Sequence, residues 1–262
     1  MTTRIAMWSG PRNISTAMMR SWENRQDTKV VDEPFYAYYL QESGIKHPMV
    51  DEVISSQSTD WQDVVDALTT QVVVENIFYQ KHMTHHILAG CDLSWTEGVK
   101  NCFLIRDPLY VVNSYAKKRD DITVEDIGIK RQYELYEEIS KLSGQKIPVL
   151  DSKATLLEPK KTLQQLCLEF EIPFLDSMMS WPEGKRDSDG VWGEHWYQAV
   201  EGSTGWQKFQ KQEIILGREL QRVVDESLEY YKALLVFTGV DPDIQTGLAS
   251  KKIIGSPVWF FI

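Results

Sequence analysis

The chain has 262 residues, which is long enough for one large α/β domain with a full hydrophobic core. Hydrophobic residues make up 42% and charged residues 25%, as is ordinary for a globular protein, and no apolar run approaches the length of a membrane span. The formal net charge of −10 argues against a general affinity for nucleic acid, so an anionic ligand would need a local cluster of basic side chains and backbone amides.

The three cysteines have neither the pairing of a disulfide framework nor the spacing of a metal site. Cys91, Cys102 and Cys167 are widely separated and favour reduced thiols in a cytoplasmic protein. The N-terminus lacks a basic region followed by an apolar one. We therefore expect a single domain over residues 1–262, without a membrane span or a nucleic-acid partner. The oligomeric state stays open, with a homodimer as one candidate.

The first predicted elements are a strand over 4–8 and a helix over 15–24, joined by a turn of small residues. A turn of this kind presents several backbone N–H groups at the helix N-terminus, and that arrangement suits a phosphate. Arg12 adds a cation, and Ser15 and Thr16 add hydroxyl donors. The loop lacks the Gly-Lys pair of the Walker pattern, which disfavours an ordinary ATP or GTP site.

A second short strand over 29–34, ended by its proline, gives the β–α–β start of a doubly wound parallel sheet. Glu33 lies at the carboxyl end of this strand, where open α/β sheets bind their ligands. The alternative, that Glu33 is a solvated carboxylate, stays open. Helix and loop are predicted over 36–70, and a further strand is predicted over 72–79.

The polar stretch over 80–86 contains three of the five histidines. His82, His85 and His86 lack the H-E-x-x-H pattern and a following carboxylate at ligand spacing, so a metal site is disfavoured. A histidine near a phosphate-binding strand end is instead a candidate acid/base group or phosphate donor.

A strand over 101–105 ends at Arg106-Asp107-Pro108, and Pro108 stands where a helix can begin. Ser114 lies about two turns along that helix. A planar guanidinium and a hydroxyl converging from these places suit a second phosphate.

The remaining pattern continues as helix and strand and then becomes irregular. A helix over 121–143 and a strand over 147–150 are followed by an amphipathic helix after Pro159. The segment over about 180–210 is rich in Trp and Gly and is a candidate lid. A last helix is predicted over 212–237.

Taken together, these segments resemble a soluble, bacterial-type member of the sulfotransferase family. Members carry a loop of the type P-[RK]-S-G-[ST]-T, which here reads Pro11-Arg12-Asn13-Ile14-Ser15-Thr16, with Asn13 and Ile14 in place of Ser-Gly. A second signature, R-[DN]-P-x-x-x-x-x-S, is matched by Arg106-Asp107-Pro108 and Ser114. A late G-x-x-G-x-W-K loop is similar to residues 202–208, although these are one residue short.

The resemblance implies a P-loop-like fold with three α/β/α layers around a central parallel sheet. It implies transfer of a sulfuryl group from 3′-phosphoadenosine 5′-phosphosulfate (PAPS) to a hydroxyl or amine of an unidentified small-molecule acceptor, with no metal. The residues that it assigns to PAPS are Pro11, Arg12, Asn13, Ile14, Ser15, Thr16, Arg106, Ser114, Gly205 and Trp206. Arg12 would also neutralise charge on the leaving phosphate.

The general base has more than one candidate. Some members of the family use a Glu soon after the second strand, which corresponds to Glu33, while others use a His after the third strand. His82 is one residue out of that spacing, and Lys81 beside it is a candidate contact for the leaving-group oxygen. Two other functions stay open: a non-catalytic binder of adenosine 3′,5′-bisphosphate or a related metabolite, and an NTP-dependent kinase.

Overall fold

The computed structural model of this chain describes residues 2–117, 121–144 and 146–239. Within these ranges five strands form one sheet in the order β2-β3-β1-β4-β5, and every neighbouring pair is parallel. The strands are β1 (Thr3–Ser9), β2 (Thr28–Asp32), β3 (Ile77–Met83), β4 (Lys100–Ile105) and β5 (Val149–Asp151). The helices are α1 (Ser15–Glu23), α2 (Tyr36–Ser43), α3 (Val50–Ser56), α4 (Trp61–Thr69), α5 (Pro108–Tyr115), α6 (Val124–Ile127), α7 (Ile129–Ser143), α8 (Ser152–Leu157), α9 (Pro159–Glu169), α10 (Gly193–Trp196), α11 (Gln198–Glu201) and α12 (Arg218–Leu235).

The central strand β1 is buried on both faces, which explains its nearly continuous apolar run. Ala6 and Trp8 point into a core formed with α4, α5, α7 and α12. Ile5 and Met7 point into a second core, formed with α1 and α9. Two helical layers therefore enclose the sheet, and the predicted three-layer α/β/α fold of the P-loop-like type is confirmed.

The third strand differs most from its predicted bounds. It begins at Ile77 and continues to Met83, whereas Val72 and Val74 are 88% and 93% exposed and lie before it. The apolar run misled the prediction because the strand continues through polar residues whose groups are satisfied inside the fold. Gln80, for example, donates to the carbonyl oxygen of Leu68 at 2.9 Å. Lys81 and His82 therefore lie within β3 and not in a loop after it.

The predicted helix over 121–143 is divided at Gly128 into α6 and α7. Gly128 has a φ of +72°, and a Cβ at this position would lie 3.0 Å from Cδ of Pro11. Both the left-handed backbone and the close approach require glycine. The break between the two helices therefore lets the start of α7 pack directly against the loop that follows β1.

The order of the strands defines where a ligand can bind. β2 and β3 lie on one side of β1 within the sheet, and β4 and β5 lie on its other side. The strand order therefore reverses its direction at β1. Ligands in open α/β sheets bind outside the carboxyl ends of the strands at such a switch point. Arg12, Glu33 and Arg106 follow β1, β2 and β4, so all three are placed at this edge.

No helix within the described ranges is both long and apolar enough to cross a membrane.

Candidate functional site

The loop between β1 and α1 makes its left-handed turn at Arg12. Arg12 has a φ of +53°, while Ile14, which replaces the family's glycine, has a φ of −90° and needs no special freedom. The sequence departure at Ile14 is therefore accommodated. A positive φ at a non-glycine residue is costly and recurs at functional sites, and Glu33, with a φ of +42°, is a second example.

Asn13 fastens this loop to the sheet. Its Nδ2 donates to the carbonyl oxygen of Leu104 at 2.8 Å, and its Oδ1 accepts from the backbone N–H of Ile14 at 2.8 Å and from Ser152 Oγ at 2.5 Å. Buried Gln132, on α7, adds bonds from Nε2 to the carbonyl oxygens of Trp8 and Leu104. The sequence did not predict these roles for Ser152 and Gln132, since neither residue belongs to a local motif.

Arg12, Arg106 and Ser114 meet at the carboxyl ends of β1 and β4, so the structure brings residues of the two motifs together. Arg12 Nε donates to Ser114 Oγ at 3.0 Å, and Arg106 Nη1 donates to the carbonyl oxygen of Arg12 at 2.6 Å. Burial, with a contribution from the charge of Arg12, lowers the pKa of Arg106. In the described part of the chain neither guanidinium has a carboxylate within 4.0 Å. We call these three residues the arginine site.

The N-terminus of α1 adjoins the arginine site. No side chain caps it, and its first turn holds no acidic residue, so its N–H groups are suited to an external anion. Ser15 is its first residue, followed by Thr16. Pro11 packs against Gly128 on the other side of the loop.

Gly205 and Trp206 lie beside α1. Gly205 forms an isolated antiparallel bridge with Ser180, and Trp206 Nε1 donates to the carbonyl oxygen of Met178 at 3.1 Å. Trp206 also packs on the same core as Ile14. These contacts give both residues a structural role, and their contact with a nucleotide stays a prediction.

Glu33 belongs to a buried group of four side chains, which we call the Glu33 cluster: Asp32, Glu33, Lys81 and Tyr197. Lys81 Nζ donates to Asp32 Oδ1 at 2.8 Å, to Glu33 Oε1 at 2.5 Å and to the Tyr197 hydroxyl oxygen at 2.7 Å. The Tyr197 hydroxyl donates to Asp32 Oδ2 at 2.7 Å. Because all three ammonium hydrogens are used, the structure commits Lys81 to this cluster, and none remains for the leaving-group oxygen that the sequence suggested.

Opposing effects set the charges in this cluster. Burial raises the pKa of Glu33, against the positive charge of Lys81. Burial alone would lower the pKa of Lys81, but the charges of Asp32 and Glu33 outweigh it, and the pKa of Lys81 is raised. The ammonium therefore stays charged between two carboxyl groups.

His82 does not share the environment of Lys81, because successive side chains in a strand point to opposite faces. Its ring stacks on Trp8 at 4.4 Å between centroids and lies near Phe35 and Trp95, 1% exposed. Burial lowers the pKa of His82 to about 3, so the ring is neutral. This enclosed core position argues against the predicted role of His82 as general base.

His86 is nearer to Glu33 than the sequence indicated. Its Nε2 lies 3.9 Å from Glu33 Oε2, and its ring stacks on Tyr36 at 4.3 Å between centroids. Burial lowers the pKa of His86 well below its usual range, and burial also lowers the pKa of His85, to about 4. Among the described residues, no group of three potential ligands is placed to hold a metal ion.

The Trp/Gly-rich segment, here taken as residues 181–206, covers the Glu33 cluster. Trp192 Nε1 donates to the Tyr197 hydroxyl oxygen at 3.1 Å, and the backbone N–H of Gly190 donates to Asp32 Oδ2 at 3.2 Å. The segment is attached to α1 by an ion pair of 2.6 Å between Arg20 and Asp189. Glu33 is consequently only 8% exposed.

Comparisons with known proteins extend over nearly the whole chain. The family model of the sulfotransferase domain matches residues 3–238. Branched-chain-amino-acid aminotransferase-like protein 1 of Arabidopsis thaliana is 33% identical over 230 residues, covering 88% of this chain and 41% of its own length. The corresponding protein 2 is 31% identical over 207 residues, covering 79% and 37%. The chain thus spans about two fifths of the length of these curated relatives.

A solved structure shares the fold. The crystal structure of a sulfotransferase from Alicyclobacillus acidocaldarius superimposes with a TM-score of 0.54 at 8% identity, covering 94% of this chain and 99% of that one.

Proposed function

The chain belongs to the sulfotransferase family, and we propose that it transfers a sulfuryl group from PAPS to a hydroxyl or amine of a small-molecule acceptor. The observation that carries the proposal is the arginine site. Two guanidinium groups without a carboxylate partner among the described residues lie beside an uncapped helix N-terminus. A buried carboxylate follows β2, which β3 separates from β1. Anionic groups are what such a site binds.

The residues present fit the two separated phosphate positions of PAPS. Arg12 and the N–H groups of residues 13–16 would hold the phosphosulfate. Arg106 would hold the 3′-phosphate together with Ser114, whose hydroxyl accepts from Arg12 in the structure. Mutual repulsion of the guanidiniums, which contributes to the lowered pKa of Arg106, would be relieved by anionic groups bound to them. PAPS supplies an activated sulfuryl group whose bond to a phosphate oxygen breaks when the acceptor's oxygen or nitrogen bonds to sulfur.

The chain's own residues would divide the remaining work. Arg12 stabilises negative charge on the departing phosphate oxygen, because a fixed cation in a partly buried site needs no reorganisation. Glu33 removes the acceptor's proton, and its raised pKa brings it closer to the range of an effective base. The covering segment excludes water from this carboxylate.

The proposal includes a single domain that acts in the cytoplasm on a small-molecule acceptor, with the segment over about 180–210 as a lid. Cys91, Cys102 and Cys167 are free thiols, which supports a reducing compartment. The attachment of the segment to α1 through Arg20 and Asp189 supports the lid.

Turnover tests the proposal directly. The protein is incubated with PAPS and a panel of phenols, alcohols, sugars and amines, and release of adenosine 3′,5′-bisphosphate is followed with Glu33→Gln as the matched control. Acceptor-dependent release by the wild-type protein is expected. Tight binding of the bisphosphate without release over the panel would favour the non-catalytic binder, and phosphate transfer from ATP would favour the kinase.

A further inference from the structure

The two carboxylate oxygens of Glu33 have different surroundings. Oε1 lies 2.5 Å from Lys81 Nζ and 3.4 Å from the Tyr197 hydroxyl oxygen. Among the described residues, Oε2 has a single polar neighbour of this kind, His86 Nε2 at 3.9 Å, which is beyond hydrogen-bond distance. One oxygen is therefore held, and the other is available for a proton.

We propose that Tyr197 and Asp32 are positioning residues that, through Lys81, clamp Oε1 of Glu33 and leave Oε2 as the oxygen that takes the acceptor's proton. This inference rests on the proposed function, in which Glu33 is the general base. In that step the acceptor's O–H or N–H bond breaks, and its proton bonds to Oε2 as the acceptor atom bonds to sulfur.

The hydrogen bonds of Lys81 fix its position relative to Glu33. An ammonium group that pairs with a single carboxylate can rotate, but Lys81 has three fixed partners, Asp32, Glu33 and Tyr197. Asp32 therefore fixes the direction from which Lys81 reaches Glu33. The positive φ of Glu33 also requires such support, since a strained backbone persists only where its surroundings over-determine it.

Tyr197 connects the Glu33 cluster to the segment that covers it. Its hydroxyl accepts from Lys81 Nζ and from Trp192 Nε1, so its single hydrogen is left to be shared by Asp32 Oδ2, at 2.7 Å, and Glu33 Oε1, at 3.4 Å. The backbone N–H of Gly190, in the same segment, donates to the same oxygen of Asp32. The segment that excludes water thus also supplies a member of the clamp.

Titratable groups face Glu33 from several elements. These are Asp32 on β2, Lys81 on β3, His86 after β3, Tyr36 on α2 and Tyr197 after α10, with Arg20 on α1 facing Asp32. Burial is the largest influence and raises the pKa of Glu33, the charge of Asp32 also raises it, and the hydrogen bond from Tyr197 lowers it. Tyr197→Phe and Asp32→Asn should therefore move the pKa of Glu33 in opposite directions.

The experiment follows the Glu33 carboxyl carbon by 13C NMR in full-length protein with labelled glutamate, assigned by its loss in Glu33→Gln. Tyr197→Phe should raise the titration midpoint by roughly half a pH unit or more, and Asp32→Asn should lower it. The matched control is Tyr136→Phe, another buried tyrosine, which packs on Phe103 at 5.4 Å between centroids and should leave the midpoint in place.

Turnover of the same variants completes the test. Tyr197→Phe should lower kcat about 10-fold with unchanged affinity for adenosine 3′,5′-bisphosphate, because the bond that it removes is at the base. Midpoints that stay within error of wild type in both variants, or a shift as large in Tyr136→Phe, would overturn the clamp. If Tyr197→Phe does not fold, the downward shift in Asp32→Asn decides. Because the titration needs no turnover, predicted shifts in a protein that releases no bisphosphate would refute the proposed function and leave the clamp standing.

Discussion

The arginine site and the Glu33 cluster lie at the same edge of the sheet but balance their charges in opposite ways. Arg12 and Arg106 are two cations with no carboxylate partner in the described part of the chain. In the cluster, one ammonium is shared by two carboxyl groups and a phenol, all of them buried. The first region is therefore suited to a bound anion, whereas the second is nearly complete and retains one excess negative charge, which a proton can neutralise.

The substitution with the largest expected effect on stability removes the positive charge of the Glu33 cluster. Lys81→Met leaves two buried carboxyl groups without their cation, and loss of one partner of a buried ion pair costs about 3–5 kcal/mol in the free energy of unfolding. Urea unfolding near neutral pH measures this loss. The matched control is Arg222→Met, which removes an exposed partner of Glu226 on α12 and should change stability little. Equal losses in the two variants would mean that the cluster is not internally balanced.

The next effect separates the two regions by function. Glu33→Gln keeps the shape of the side chain but removes the proton acceptor, so kcat should fall by about 10²-fold or more. Affinity for adenosine 3′,5′-bisphosphate should stay within about twofold, because the bisphosphate would be held by the arginine site. Product release and calorimetry measure the two quantities. A fully active variant would transfer the role of base to a histidine.

Arg106→Ala tests the other region in the same manner. Loss of a charge-assisted hydrogen bond costs about 1.5–3 kcal/mol, so the bisphosphate should bind roughly 10- to 100-fold more weakly. ADP, which has no 3′-phosphate, should bind nearly as before. Calorimetric titration with both nucleotides makes the comparison, and an equal loss for both would show that Arg106 does not read the 3′-phosphate.

Substitution of His82 should change the stability of the core and leave both the arginine site and the Glu33 cluster unaffected. Burial lowers its pKa to about 3 in the folded chain, whereas it is about 6.5 in the unfolded chain, so the unfolded chain binds the proton first as the pH falls. Stability is therefore lost between these values, by about 1.4 kcal/mol per pH unit for this group. Urea unfolding of His82→Phe at about pH 7 and about pH 5 should show a correspondingly shallower loss than in wild type. If the free energy of unfolding changes with pH as steeply as in wild type, or if kcat falls strongly, His82 is not a neutral core residue.

The smallest expected effect is on the affinity of the arginine site for the bisphosphate when Ser114 is replaced. Ser114 holds Arg12 through a neutral hydroxyl at 3.0 Å. Ser114→Ala should weaken the bisphosphate by about 2- to 10-fold, less than Arg106→Ala, because a neutral hydrogen bond contributes about 0.5–1.5 kcal/mol. The same calorimetric titration decides, and a loss larger than that of Arg106→Ala would reverse the order of importance.

The sequence predicted the arginine site better than the Glu33 cluster, for a physical reason. Arg12, Arg106 and Glu33 each follow a recognisable strand, and the carboxyl ends of parallel strands meet at one edge. The motifs and the predicted parallel sheet together were therefore enough to place distant residues at one edge, where Arg12 and Ser114, 102 positions apart, are in contact.

The cluster could be predicted only in part, because its other members have no local signature. Lys81 was expected in the polar stretch after the third strand, because a buried lysine within a strand is stable only beside partners that neutralise its charge. Those partners are 49 and 116 positions away, at Asp32 and Tyr197. The run at Val72 and Val74 has strong strand propensity, but it remains exposed because the register of β2 and β3 begins with Thr28 opposite Ile77.

The most direct test of the central claim, that the arginine site holds the two phosphates of PAPS, is calorimetric titration of the purified protein with adenosine 3′,5′-bisphosphate, ADP and ATP. We expect the bisphosphate to bind tightly and in preference to both other nucleotides, since it alone places phosphates at Arg12 and Arg106. Preference for ATP, or no binding of the bisphosphate, would contradict the claim.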